Sequence, residues 1–220
     1  KQGAEVRYGH GVTAFRDTGD GAEVEVQPED GAAYTVRTRF VLDGSGYGRV
    51  LPRLLDLERP SVLPERMACF THIQDNITDP DYDRQKILIS TPTRLRDVWL
   101  WLIPFADGVA SLGVVGEPAR LEALGDNPEA MLRAAVADVP LLARFLQNAD
   151  WNTGMPVRAL RNYSANVSTL YGDHFALLGN ASEFLDPVFS SGVTVAVVSS
   201  QLATAALDRQ LRGETVDWQR

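Results

Sequence analysis

Two tryptophans at i and i+2, Trp99 and Trp101, sit inside the apolar run 96–105. A strand alternates its side chains, so both indoles fall on one face and Val98, Leu100 and Leu102 on the other. Pro104 has no N–H to give a ladder and closes the strand. With both faces apolar the strand is expected to be buried on both sides, its Trp face packing on a core or lining a cavity. A second stretch able to do chemistry is the loop Phe184-Leu185-Asp186-Pro187-Val188-Phe189-Ser190-Ser191-Gly192-Val193. It feeds a run of small and apolar residues, 192–211, that reads as a helix with Gly213 as its C′ residue. Ser190 or Ser191 is the expected cap. A helix start carries unbonded N–H groups and about half a positive charge, which suits an anion. An ordinary capped core helix is the competing reading. Apolar residues nearly all round the helix predict its burial.

Other reactive side chains are sparse. Three His and one Cys lack metal-ligand spacing, so no structural zinc is expected. Cys69 lies in an apolar strand and reads as a small core residue. A single cysteine excludes a disulfide within the chain and fits a reducing cytoplasm. His72 shares a strand face with Phe70 and Gln74, where it either lines a cavity or is satisfied within the sheet. The lysines are Lys1 and Lys86. Lys86, at the start of a strand, reads as a solvated edge residue.

The elements that position these residues follow from punctuation and alternation. Residues 5–8, 11–17, 22–27 and 33–38 read as strands of a meander with turns at Thr18-Gly19-Asp20-Gly21 and Glu29-Asp30-Gly31. The apolar strand 40–42 then opens into the glycine-rich turn Asp43-Gly44-Ser45-Gly46. A short helix is predicted over 51–57, followed by a crossing segment around Pro60 and Pro64. Four antiparallel strands are predicted at 67–74, 85–91, 96–103 and 109–115, with a polar loop at 75–84 and an Asp107-Gly108 hairpin turn. Pro128 starts a helix to about Ala137, and Pro140 restarts a second over 141–147. Strand 175–178 and the turn Gly179-Asn180-Ala181 lead back to the last loop and helix.

The string Trp99-Leu100-Trp101-Leu102-Ile103-Pro104 resembles the WxWxIP signature of flavin-dependent halogenases. The segment from Gly179-Asn180 through Pro187 to Gly192 is similar to the same family and to its aromatic-hydroxylase relatives. The resemblance implies an α/β plus antiparallel-β fold. Its parts would be a partial FAD-binding domain of the glutathione-reductase type (1–60 and 171–220) and an inserted substrate domain (61–170). It also implies reduced FAD from a separate flavin reductase, oxygen, and chloride or bromide as substrate. Oxidised halide would pass to a lysine beside an electron-rich aromatic. On this sequence the resemblance assigns Trp99, Trp101 and Pro104 to the wall that separates substrate from flavin. Asp43, Gly46, Gly179, Asn180, Pro187, Ser190, Ser191, Gly192 and Val193 fall on the flavin side, with the N–H groups of Ser191 and Gly192 for the halide.

Two departures refine this. Phe189 stands where indole-type halogenases carry a glutamate, which favours a phenol, pyrrole or carrier-tethered aromatic of secondary metabolism, such as antibiotic biosynthesis. No G-x-G-x-x-G occurs; Gly44-x-Gly46-x-Gly48 has the wrong spacing for a dinucleotide turn. Both that turn and the lysine are expected in a portion preceding Lys1, and the chain alone is expected to be inactive. The alternatives are a flavoprotein monooxygenase or oxidoreductase without halogenation, and a substrate-recognition fragment without catalysis.

Composition sets outer bounds. The chain has 220 residues, 45% hydrophobic and 23% charged, with a net charge of −8. That length buries roughly 70% of its unfolded surface, and the composition is that of a globular protein. The negative balance without a basic cluster argues against nucleic acid or an anionic membrane as partner. No run approaches the roughly 20 apolar residues of a membrane span, and no secretory signal is visible, so a cytoplasmic location is expected.

Overall fold

The computed structural model describes residues 3–184 and 187–219. Two compact units emerge, one made of Lys1–Leu63 with Ser164–Arg220 and the other of Pro64–Tyr163. Lys1, Leu185 and Asp186 lie outside the described residues, as does the side chain of Phe189.

In chain order, the first unit begins with β1 (His10–Asp17), β2 (Ala22–Pro28) and β3 (Tyr34–Thr38), an antiparallel meander in the order β1-β2-β3. Its tight turns use Gly19 and Gly31 at positive φ, where a side chain would clash with the backbone. The strand expected at 5–8 does not form. Val6 and Tyr8 are exposed, and without a partner strand this stretch has nothing to satisfy its ladder. β4 (Val41–Asp43) enters the turn, α1 (Val50–Leu54) follows, and β5 (Glu58–Arg59) closes this half.

The second unit holds β6 (Met67–Gln74), β7 (Leu88–Ser90), β8 (Trp99–Pro104) and β9 (Val109–Gly116), then α2 (Pro118–Glu122), α3 (Pro128–Ala137), α4 (Pro140–Phe145) and β10 (Arg158–Arg161). Its sheet has five antiparallel strands in the order β10-β6-β9-β8-β7, not the four expected. All four β10 residues are exposed, so that strand carries no alternation to read. One sheet face packs Cys69, Ile73, Leu100, Leu102, Leu112 and Val114 against Met131, Leu132, Ala135 and Leu142. Asn127 extends its backbone and accepts the Ala130 N–H at 3.0 Å, capping α3 as a good N-cap residue does. Asp75, 1% exposed, is clamped by Arg84 at 2.7 Å and holds the 75–84 loop at the end of β6.

The chain then returns to the first unit with β11 (Asn166–Val167), β12 (Tyr171–Gly172), β13 (Phe175–Leu177) and α5 (Gly192–Leu211). β13 pairs antiparallel with β12 and parallel with β4, so two segments more than 130 residues apart in sequence share one sheet. Phe175, Leu177 and Leu51 form the small core there. The expected burial of α5 is not found among the described residues: Ala203 is its one buried residue, while Val193, Val197 and Leu202 are 76%, 59% and 63% exposed. The helix is covered beside the Gly179 turn and meets Trp218 near its other end, so much of a helix apolar nearly all round stays open among the described residues. No described helix is long and apolar enough to cross a membrane.

Candidate functional site

Three chain segments converge at the start of α5. Asp43 ends β4 with its carboxylate buried, one oxygen taking the Ser45 N–H and the other the Leu51 N–H, both at 2.8 Å. It therefore shapes the turn and starts α1, and it does not border the groove described next. Beyond it, Gly44 and Gly46 have open space where a Cβ would stand. From the other side, Gly179 follows β13 at φ +51, and a Cβ there would come within 2.9 Å of the Ala196 Cβ. The residue is glycine because α5 lies directly on it. The Ser199 hydroxyl accepts the Gly179 N–H at 3.0 Å and fixes the turn against the helix.

The result is a groove of about 430 Å³ lined by Gly44, Gly46, Gly179, Asn180, Gly192 and Val193 among others. A second, smaller cavity of about 270 Å³ is lined by Asn180, Pro187, Ser190, Ser191, Gly192 and Val193 together with Phe184. Asn180, Gly192 and Val193 border both. Of the flavin-side residues named from the sequence, all but Asp43 line one or the other.

The helix start differs from the expected capped one. Ser191 occupies the N-cap position at φ −75 and ψ −14, and its own side chain makes no capping hydrogen bond. A capping hydroxyl needs an extended N-cap backbone to reach the next amides, and Ser191 is already helical. Ser190 stands at φ +52, a region uncommon for a residue with a Cβ, and its N–H bonds the Pro187 carbonyl at 2.8 Å. The chain thus turns sharply into α5 and brings Ser191 and Gly192 to the wall of the small cavity, with the positive end of the helix dipole behind them. Gly192 would bring a Cβ no closer than 3.9 Å to any other side chain or backbone. Its backbone is open to a ligand.

In the second unit, Trp99, Trp101 and Ile103 are half-buried on the sheet face opposite the helices. The strand is buried on one side only, that of Leu100 and Leu102, because the helices of this unit pack there. Trp101 lies 5.7 Å from Trp99 and 6.3 Å from Phe70, centroid to centroid. His72 is on the same face and meets the Phe105 ring edge-on at 5.2 Å. Lys86 is exposed and paired with Asp83 at 2.9 Å. Burial pushes the Cys69 thiol up to about 11, so it is an inert core residue. Ser111 and Gly113, which hold Trp101, were not singled out from the sequence. The signal was present: a glycine inside a strand marks a close approach.

No protein-family model matches the chain. It is 28% identical to a flavin-dependent halogenase of Penicillium aethiopicum over 86% of this chain and 37% of that protein. With the 1H-pyrrole-2-carbonyl-[peptidyl-carrier protein] chlorinase of Pseudomonas fluorescens it shares 26% identity, over 77% of this chain and 38% of that one. The crystal structure of a flavoprotein/dehydrogenase from Cytophaga hutchinsonii superposes with a TM-score of 0.90 at 36% identity, covering all of this chain and 53% of the other. The chain spans about two fifths of the length of these curated relatives.

Proposed function

We propose that this chain, a relative of flavin-dependent halogenases, is the part of such an enzyme that holds the halide and one side of the flavin and presents an aromatic wall to the substrate. The carrying observation is the convergence at α5. Gly46, Gly179, Asn180, Gly192 and Val193, from segments far apart in sequence, line one groove whose floor is rich in glycine. Such a floor fits a flat, partly anionic group, because glycines admit it closely and a helix N-terminus favours negative charge. FAD fits these residues, and when bound and reduced it would supply the electrons that activate oxygen. The N–H groups of Ser191 and Gly192 would hold chloride or bromide in the smaller cavity. The neighbouring Phe184, Pro187 and Val193 would thin the water there and strengthen the attraction. The enclosing domain would be of the glutathione-reductase type, with reduced FAD arriving from a separate reductase.

The substrate would be a phenol or pyrrole, free or tethered to a carrier, lying on the face built by Trp99 and Trp101. The pyrrole-carrier chlorinase among the relatives supports this branch. The indoles would keep that ring from the flavin and so disfavour direct hydroxylation. A second reading, a flavoprotein oxidoreductase that does not halogenate, is favoured by the Cytophaga flavoprotein/dehydrogenase.

Bromide decides between them. Crystals soaked in bromide should show anomalous density at the Ser191 and Gly192 amides. Gly192→Ala, whose new Cβ has room within the chain, should remain folded and lose that density. Bromide bound only elsewhere would overturn the halogenase reading and leave the oxidoreductase one.

A further inference from the structure

The geometry points to Ser111 and Gly113 as positioning residues that seat the Trp101 indole on the sheet and engage its one polar group. Both lie on β9, where Gly113 is the register partner of Trp101 and Ser111 that of Ile103. A Cβ on Gly113 would come within 2.2 Å of Trp101 Cζ2 and 2.6 Å of its Cε2. Real atoms do not approach so closely, so the ring occupies the space that any other residue would fill. The indole therefore leans from β8 across β9 and reaches Phe70 on β6, 6.3 Å away. Its Nε1–H donates to the Ser111 hydroxyl at 3.0 Å.

The consequence is chemical. An indole anchored in this way offers a ligand a π surface, while its one donor is already satisfied within the sheet. A substrate that needs a hydrogen-bond donor gains none from it, whereas an aromatic ring can stack. Trp99, Trp101 and Phe70 become one continuous aromatic floor because Gly113 leaves the gap that Trp101 bridges. This deepens the aromatic-substrate reading above and rests on it for the identity of the ligand. The placement of the indole stands independently.

The test is NMR of the purified chain with 15N-labelled tryptophan, the Trp101 indole signal being assigned by its loss in Trp101→Phe. Ser111→Ala should speed solvent exchange of that one N–H about tenfold, matching the roughly 1.4 kcal/mol of one hydrogen bond. The Trp151 indole should not change, and Ser111→Thr, which retains the hydroxyl, should restore protection. Gly113→Ala should shift the Trp101 signal; if that variant does not fold, the Ser111 pair decides. Unchanged exchange in Ser111→Ala, or equal acceleration at every indole, would overturn the assignment. In the halogenating enzyme, Ser111→Ala should also move product from halogenated toward hydroxylated, as should Trp101→Phe. Altered exchange without altered products would keep the positioning and reject the proposed function.

Discussion

Strand β8 and helix α5 both carry large apolar side chains, yet the molecule treats them differently. β8 buries Leu100 and Leu102 completely against α3 and α4, which follow within about forty residues. α5 leaves Val193, Val197 and Leu202 largely uncovered among the described residues. Apolarity says that burying a face is favourable. It does not say which element covers it. A strand beside its hairpin partner and a nearby helix pair finds its cover locally, whereas α5 meets the rest of its unit chiefly through the Gly179 turn.

The sharpest way to break this contrast is a pair of truncations. Leu100→Ala should cost about 2–5 kcal/mol in urea unfolding, while Val197→Ala should stay within about 0.5 kcal/mol. A large loss from Val197→Ala would show that the helix face is covered in solution. Gly179→Ala tests the turn that holds the start of α5. With φ +51 and Ala196 in the way, it should cost about 1–3 kcal/mol, read in the same experiment.

The two helix starts extend the comparison to caps. Asn127→Ala removes the side chain that caps α3 and should cost about 1 kcal/mol. Ser191→Ala removes no cap and should leave the melting temperature unchanged. A loss at Ser191 equal to that at Asn127 would mean that the hydroxyl does satisfy the α5 amides, and would weaken the anion site.

The smallest expected effect is a pH dependence. The Gly19 N–H, together with His174, holds the Asp17 carboxyl below its usual range. Its ionised form therefore favours the fold above the ordinary carboxylate range, and this contribution is lost as pH falls through the lowered value. Between pH 7 and pH 3 the wild type should lose slightly more thermal stability than Asp17→Asn. Identical losses would show that the pair contributes nothing.

Much of this molecule could be read from local chemistry. Alternation at 67–74 and 109–115, the Asp-Gly turns, Pro128 after Asn127 and the Trp spacing each carry their own physical instruction, and each produced the expected element. Pattern failed where the deciding partner is remote or silent. β10 is too polar and exposed to announce itself, and residues 5–8 alternate plausibly but have no neighbour. The groove shows the limit best. Glycine, asparagine and serine at 44–46, 179–180 and 190–192 were legible one by one as turn residues. Only the parallel pairing of β4 with β13 brings them to one helix end, because a register between distant strands depends on three-dimensional packing and leaves no mark in either segment. The same holds for Trp101. Its type and face were written in the sequence, whereas its tilt across Gly113 and the anchoring of its N–H by Ser111 were decided by the neighbouring strand.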